Sequence, residues 1–288
     1  MSVVLVSALC ALGAMTAFGV AAVLQAIATA RADDVGVLDP RLLLRLIRQP
    51  VFVAALALNL FGFGLHVAAL QALPLFLVQA VIAGSVAVTA LLSVRVFGRR
   101  LNRQEWGAVA LIVVALGLLA SSAPDDHAAS DPALAVPLLI GAVALIAVLA
   151  AAVRRVAGPT GAVLLGLLAG SGFGVVAICA RLLPELGLGL LTAPVAYILV
   201  VAGTVAFVIY SGAMQRGSAT TATAAMVVTQ TVVPAVAGLL LGDRVRPGSA
   251  PFAAAGFVLA LVGAVGLARY EGAMIESGIV ETATEGAA

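Results

Sequence analysis

Long apolar stretches separated by short polar segments make up almost the whole chain. A helix needs about 20 apolar residues to cross the hydrocarbon core of a bilayer, and nine uncharged apolar runs are recognisable between Arg, Asp, Pro and Gly residues. They predict nine transmembrane helices, spans 1 to 9, at Val3–Ala30, Val51–Leu70, Pro74–Val94, Trp106–Ala120, Ala133–Val153, Thr160–Ala180, Thr192–Ala213, Ser218–Leu241 and Phe252–Ala268. The predicted fold class is an all-α polytopic membrane protein of about nine transmembrane helices.

The composition agrees with this interpretation. Hydrophobic residues account for 63% of the 288 positions and charged residues for 10%, and the mean hydropathy is +1.21. A soluble domain needs roughly a quarter of its residues charged to form a solvated surface, and in lipid the backbone must satisfy its own hydrogen bonds. The composition therefore excludes a soluble domain.

The arginines predict the orientation. All 15 basic residues are Arg, and twelve of them fall on one side of the predicted membrane, against Arg181, Arg244 and Arg246 on the other. Short cytoplasmic loops carry the excess of basic residues. We expect a multi-pass protein of the plasma (inner) membrane of a bacterium, with its N-terminus outside and its C-terminus in the cytoplasm.

Three polar segments lie outside the predicted spans. Residues 39–48 predict a short helix on the inner leaflet, whose arginines at helical spacing would contact anionic headgroups; a solvated linker is the alternative. Residues 122–132 predict an acidic extracytoplasmic loop, and residues 271–288 a disordered acidic cytoplasmic tail. The inner-leaflet arginines are Arg41, Arg45 and Arg48.

The chain also contains an internal repeat. Ala14–Val20 in span 1 resembles Ala169–Val175 in span 6 at a shift of 155, and span 3 runs onto span 8 at a shift of 144. Gly107–Gly117 in span 4 matches Gly256–Gly266 in span 9 at a shift of 149. Spans 1 to 4 therefore pair with spans 6 to 9.

This pairing predicts an inverted 4+5 repeat. Equivalent spans are five places apart in chain order, and because five is odd, each span crosses the membrane in the direction opposite to its equivalent. The N-terminal repeat covers residues 1–121 and the C-terminal repeat residues 158–270, while span 5 at 133–153 has no counterpart. Inverted repeats are typical of secondary transporters, in which two near-equivalent conformations alternately open a site at the midplane.

The residues that close the second repeat resemble a known family. Pro234, the run Leu239–Val245, Gly256 and Gly263 are similar to the pattern of EamA-type members of the drug/metabolite transporter (DMT) superfamily. Nine spans and a long loop after the first resemble its NIPA-like branch. The resemblance implies a DMT-like bundle that transports by alternating access, and for that branch an association with magnesium.

The acidic residues depart from the NIPA-like pattern. That branch has an acid near the position of Gly62–Gly64 and a Glu at the position of Arg99, and this chain lacks both. No carboxylate falls in a predicted span interior, Glu105 being the nearest to a span. Because hard divalent cations prefer oxygen ligands, a dehydrated Mg²⁺ at the midplane is disfavoured, whereas a hydrated ion held by carbonyls and hydroxyls stays open.

Polar and aromatic residues inside the spans fall on repeat-equivalent positions. His66 corresponds to Tyr210, Phe63 to Phe207 and Gln79 to Thr223, and further polar residues of span 8 share the helical face of Thr223. These residues predict the lining of a substrate cavity; the alternative for Gln79 and the threonines is hydrogen bonding between helices. The cavity candidates are His66, Tyr210, Phe63, Phe207, Gln79, Thr220, Thr223 and Gln230.

Two further features of span 6 predict structural roles. Gly166, Gly170 and Gly174 repeat every four residues and predict a small-residue packing face. Arg181 ends the span, and Glu185 four residues later is its expected ion-pair partner, with the arginine snorkelling to the interface; contact with a substrate is the alternative.

No nucleophile–base pair, metal cluster or phosphate-binding glycine loop is recognisable, so we expect no enzymatic activity, no catalytic residue, no metal site and no cofactor. The first functional hypothesis is a secondary transporter or flippase of a neutral, amphipathic or anionic solute or lipid. A NIPA-like Mg²⁺ transporter and a non-transporting membrane scaffold are the alternatives. The expected partners are membrane lipids and the substrate, not nucleic acid; a homodimer stays open.

Overall fold

The computed structural model describes residues 3–30, 48–96, 101–122, 132–153, 155–184, 188–214, 216 and 219–285. Helices account for almost all of these residues. They are α1 (Val3–Ala30), α2 (Pro50–Leu70), α3 (Leu75–Ala83), α4 (Ser85–Val96), α5 (Arg103–Ser121), α6 (Pro132–Val153), α7 (Gly158–Arg181), a short 3₁₀ helix (Leu188–Leu191), α8 (Pro194–Met214), α9 (Ala219–Leu240) and α10 (Ala250–Glu285).

The predicted fold class is confirmed. Among the described residues, nine helical segments are long and apolar enough to cross a membrane, with α3 and α4 forming one of them. Large apolar side chains such as Leu138 and Leu240 are 74% and 84% exposed, as expected for a bundle whose outer surface faces lipid. The chain is therefore a multi-pass α-helical membrane protein.

Span 3 differs from a single regular helix, because it tightens at Gly84. The Gly84 N–H donates to Val81 O and the Ala87 N–H donates to Gly84 O, both at 2.9 Å, which is the bonding of a 3₁₀ turn. A methyl group at Gly84 would lie 2.9 Å from Met15 Sδ. The glycine therefore lets α1 approach at the point where α3 passes into α4.

The tail also differs from the prediction, since α10 continues as a helix to Glu285 where the sequence predicted disorder after residue 270. No proline follows Arg269, and once a helix exists each further residue adds a backbone hydrogen bond at little cost. Of the other segments between spans, Arg41, Arg45 and the acidic loop 123–131 lie outside the described residues. Arg48 is described and exposed.

Packing within the two halves follows one pattern. In the first half α1 packs against α2, α3 and α4, and in the second half its equivalent α7 packs against α8 and α9. The halves meet where α3 contacts α9 and where α5 contacts α10. The unpaired α6 packs on the outside of α7 and α8.

The crossing of α7 and α9 depends on the three glycines of the predicted packing face. A methyl at Gly166 would lie 2.6 Å from Ala222 O, and a methyl at Gly174 would lie 3.1 Å from Pro234 Cδ. At Gly170 it would collide with Met226 O. All three glycines therefore lie where the backbones of α7 and α9 approach most closely.

The bundle has two ends, which we name after the sides that the arginines predict. The outer end contains the α2–α3 turn at Leu70–Leu75, the end of α5 and Arg181 at the end of α7. The inner end contains the start of α5 at Asn102 and the α8–α9 turn after Met214.

Candidate functional site

His66 and Gln79 form a buried polar pair near the outer end. His66 lies one turn before the end of α2 and Gln79 one turn after the start of α3, and they are only 7% and 3% exposed. The two Nε2 atoms lie 3.2 Å apart. In this arrangement the Gln79 amide donates to an imidazole that carries its proton on Nδ1.

Two phenylalanines enclose the imidazole. The rings of Phe18 and Phe63 meet His66 edge-to-face, at centroid distances of 6.4 Å and 6.2 Å. Edge-to-face contacts of this kind are the favoured geometry for aromatic rings. In the conformation described here, His66 is therefore a packed residue near the outer end.

The second half contains the equivalent pair near the inner end. Tyr210, one turn before the end of α8, and Thr223, one turn after the start of α9, share a hydrogen bond of 2.6 Å between their hydroxyl groups. Both residues are half-buried. Thr223 Oγ1 also lies 4.0 Å from the sulfur of Met214.

These two hydrogen bonds are related by the internal repeat. Each joins residues 13 positions apart, and the shift of 144 converts His66 into Tyr210 and Gln79 into Thr223. At 1.5 Å rise per residue the two pairs lie about 20 Å apart along the bundle. The structure therefore places the predicted candidates in two equivalent pairs at opposite ends, instead of in one cluster.

Gln230 lies between these levels on the inward face of α9. On the helical wheel it falls between Val233, which packs against Gly174 of α7, and Gly238, which packs against Leu75 of α3. Leu239, on the opposite face, is 55% exposed. Gln230 is half-buried and makes no hydrogen bond to any described residue.

Asn59 occupies the corresponding depth in the first half, and the sequence analysis did not single it out. It lies near the middle of α2, two turns before His66 and on the same helical face. Asn59 is half-buried and has no hydrogen-bond partner within the described ranges. A lone amide in the apolar segment Val51–Leu70 was the available signal, because polar side chains inside a span are rare and functional.

One predicted cavity residue, Phe207, does not join these groups. Phe207 is 62% exposed, on the face of α8 that also carries Tyr197, Val200 and Val208 at 60% or more. The side chain of Thr220 lies outside the described residues. Phe63 contacts His66, so the predicted equivalence of Phe63 and Phe207 is not matched by similar surroundings.

Arg181 pairs with Asp243; the partner that the sequence predicted, Glu185, lies outside the described residues. The Arg181 Nη2 to Asp243 Oδ1 distance is 3.5 Å, and the side chains are 7% and 5% exposed. Arg181 Nη1 donates to Leu73 O at 2.9 Å and also to Leu70 O. Asp243 Oδ2 accepts from the Leu75 N–H at 2.6 Å. We call these five residues the outer polar cluster.

The end of α9 positions Asp243 in this cluster. Gly242 has φ 97°, the Asp243 N–H donates to Gly238 O at 2.8 Å, and the Gly242 N–H donates to Leu239 O at 3.3 Å. This is a Schellman motif, which needs a left-handed residue after the helix and so favours glycine. A methyl at Gly238 would collide with the Asp243 carboxylate and lie 2.8 Å from Leu75 Cβ, so glycine is required there too.

At the inner end the buried carboxylate has a local role. Glu105 is 1% exposed, and its Oε2 accepts from the Asn102 N–H at 2.7 Å, while Asn102 Oδ1 accepts from the Glu105 N–H at 2.9 Å. This is a capping box, which satisfies the first N–H groups of α5. Within the described ranges, no three His, Cys, Asp or Glu residues lie close enough together to form a metal-binding cluster.

Comparison with known proteins adds no family to this picture. No protein-family model matches the chain, and searches of curated proteins and of solved structures return no significant match.

Proposed function

We propose that the protein is a secondary transporter or flippase of the DMT kind, working by alternating access. The observation that carries the proposal is the pair of repeat-equivalent hydrogen bonds, His66–Gln79 and Tyr210–Thr223. They join equivalent helices at opposite ends of the bundle and differ in burial. Alternating access requires two equivalent closures, one on each side of a central site, with only one of them tight at a time.

The central site of this proposal lies between the two closures. Asn59 and Gln230 come from different halves, lie near the middle of their helices, and have no hydrogen-bond partner among the described residues. Each amide offers both donors and an acceptor, and neither carries charge. A neutral or anionic polar group, on a solute or on a lipid headgroup, is the chemistry that such a site would bind.

Magnesium transport has less support from the same residues. Dehydrated Mg²⁺ requires octahedral oxygen ligands, with carboxylates the usual protein donors. The buried carboxylates of the described structure, Glu105 and Asp243, lie near helix ends and are engaged in the α5 capping box and in the outer polar cluster. We therefore propose a transporter of a neutral, amphipathic or anionic substrate.

Purified protein reconstituted into liposomes tests the proposal with three probes. We expect either movement of a fluorescent phospholipid between leaflets, measured by quenching with dithionite, or uptake of a radiolabelled neutral amino acid. Gln230→Leu and Asn59→Leu should abolish this flux, because leucine has similar volume and no hydrogen-bonding groups. Leu239→Ala, on the lipid-facing side of α9, is the matched control and should transport normally.

The third probe is Mg²⁺, followed with an indicator dye inside the liposomes. Robust Mg²⁺ uptake would overturn the substrate class. Native mass spectrometry of the purified protein gives a second readout without a chosen substrate. A co-purifying molecule that is present in the native chain and lost in Gln230→Leu supports the central site, and one retained in both contradicts it.

A further inference from the structure

We propose that the outer polar cluster is a one-sided gate, and that separating its groups is the step that opens the outer end. The inference rests on the proposed alternating-access function, because a gate has a role only if the bundle opens at that end. It goes further by identifying the residues that hold one end closed and by predicting that the two ends are held differently.

The cluster joins the two halves through helix ends. Both charged residues belong to the second half, and the groups that they bind are backbone atoms of the first half. Arg181 donates to the carbonyl oxygens of Leu70 and Leu73 at the end of α2, and Asp243 accepts from the Leu75 N–H at the start of α3. The last carbonyls and first N–H groups of a helix have no partners within the helix.

The signs of the charges match those helix ends. The C-terminal end of a helix carries partial negative charge and the N-terminal end partial positive charge. The guanidinium of Arg181 is therefore attracted to the end of α2, and the carboxylate of Asp243 to the start of α3. Because the two residues also pair with each other, the cluster is balanced in charge while it is buried.

Opening the outer end requires this cluster to come apart. If the α2–α3 turn moves away from α7 and α9, all three hydrogen bonds that this turn makes with Arg181 and Asp243 break together. The side chains of Arg181 and Asp243 are almost fully buried in the closed arrangement, so water must enter to solvate them. The cluster thus opposes opening until solvent or a substrate replaces its contacts.

The repeat does not supply the same gate at the inner end. The position equivalent to Arg181 at the shift of 155 is Ala26, and the position equivalent to Asp243 at the shift of 144 is Arg99. An alanine and an arginine cannot form an ion pair. The sequence therefore gives the charge pair to one end of an otherwise repeated framework.

A cysteine placed against the α2–α3 turn reports on the gate. Ala180 lies next to Arg181, is 0% exposed and belongs to the core cluster of Leu70, Leu73 and Leu75, so Ala180→Cys should react with a maleimide only when the outer end opens. Cys10→Ser and Cys179→Ser remove the two native thiols, so that the introduced cysteine is the single one. At the inner end, Met214→Cys in a chain that also carries Cys10→Ser and Cys179→Ser provides the second reporter.

Asp243→Asn is the principal test, because asparagine can still accept from Leu75 but has lost the charge that balances Arg181. We expect the labelling rate of Ala180→Cys to rise about tenfold or more, since removing one partner of a buried ion pair strongly disfavours the buried state. The labelling rate at Met214→Cys should fall, because the two ends open in turn. Arg244→Gln removes an exposed charge from the same loop and should change neither rate.

A second variant covers the case in which Asp243→Asn does not fold. Arg181→Lys keeps the charge but lacks the planar fork that serves several acceptors, so it should raise Ala180→Cys labelling less than Asp243→Asn. Unchanged labelling of Ala180→Cys would overturn the gate, and so would a rise at both reporters, which indicates general loosening. Opposite shifts at the two ends without flux of any probe would support the gate and contradict the proposed transport function.

Discussion

Helix α3 and the first turns of α9 are equivalent segments of the repeat, yet they are buried to different extents. All nine residues of α3, Leu75–Ala83, are buried. At the start of α9, Thr221 is exposed and Thr223 and Met226 are half-buried. Four other residues there, Ala222, Ala224, Ala225 and Val227, are buried. Along these two described segments the outer end is thus packed more tightly than the inner end, although the same topology forms both.

The difference teaches that a repeated framework can be closed at one end by residues that are not repeated. The His66–Gln79 and Tyr210–Thr223 bonds are common to the two halves, whereas the Arg181–Asp243 pair occurs at one end only. At the inner end the buried Glu105 caps its own helix. Unequal closure is what a transporter needs if one conformation is to dominate at rest.

The largest expected effect concerns which end faces which compartment. We predict that Pro247→Cys, in the exposed loop at the outer end, reacts with a membrane-impermeant maleimide in intact cells. Arg155→Cys, at an exposed position after α6 at the inner end, should react only after the cells are permeabilised. Both substitutions are made with Cys10→Ser and Cys179→Ser, so that each chain has one thiol. The reverse pattern would show that the ends are assigned to the wrong sides.

The next largest effect is on stability, and it separates the outer cluster from the charges around it. Arg181→Ala should lower the free energy of unfolding by up to about 3–5 kcal/mol, because Asp243 then stays buried without its partner. Thermal unfolding of the purified protein, followed by size-exclusion chromatography after heating, measures the loss. Arg244→Ala, an exposed neighbour, should stay within about 0.5 kcal/mol. Equal losses would remove the distinction between the pair and the surrounding loop.

The two repeat-equivalent hydrogen bonds should also differ in their contributions. His66→Leu leaves the Gln79 amide buried without a partner and should cost about 1–3 kcal/mol. Tyr210→Phe leaves Thr223 half-buried and near Met214, and should cost about 0.6 kcal/mol, the average for hydrogen bonds between membrane helices. The same thermal assay compares them. A larger loss for Tyr210→Phe would contradict the tighter packing of the outer end.

The smallest effect tests whether helix capping at the inner end is local. Asn102→Ala removes the N-cap of α5 and should cost about 1 kcal/mol. Because Asn102 and Glu105 belong to one helix start, the labelling rate of Ala180→Cys should not change. A change in that rate would mean that the inner cap takes part in the balance between the two ends.

Much of the fold could be predicted from the sequence, because span length and hydropathy are local properties. The predicted span at Val3–Ala30 has the bounds of α1, and the predicted Thr160–Ala180 falls within α7, Gly158–Arg181. The small-residue spacing of Gly166, Gly170 and Gly174 identified a helix face that lies against α9. The repeat register also matched His66 with Tyr210 and Gln79 with Thr223, although the hydrogen bonds within each half were not predicted.

The candidate site was less accessible to sequence reasoning. Glu185 was the expected partner of Arg181 because four residues is one helical turn, whereas Asp243 is 62 residues away and approaches only because Gly242 turns the chain after α9. The equivalence of Phe63 and Phe207 did not predict their surroundings, since a repeat fixes position on a helix but not the neighbours of each face. Asn59 was missed because one uncharged amide changes the hydropathy of its span very little.

The sequence by itself determined that this is a multi-pass helical membrane protein with nine predicted spans and a repeated order of residues. These features follow from the length of apolar runs and from the cost of unsatisfied backbone groups in lipid, which act on each segment separately. Only the tertiary structure decided that Arg181 and Asp243 meet, that Phe207 faces outwards, and that the outer end is the tighter one. Those outcomes depend on which helix faces come together, because burial and ion pairing are properties of contacts between segments distant in the chain.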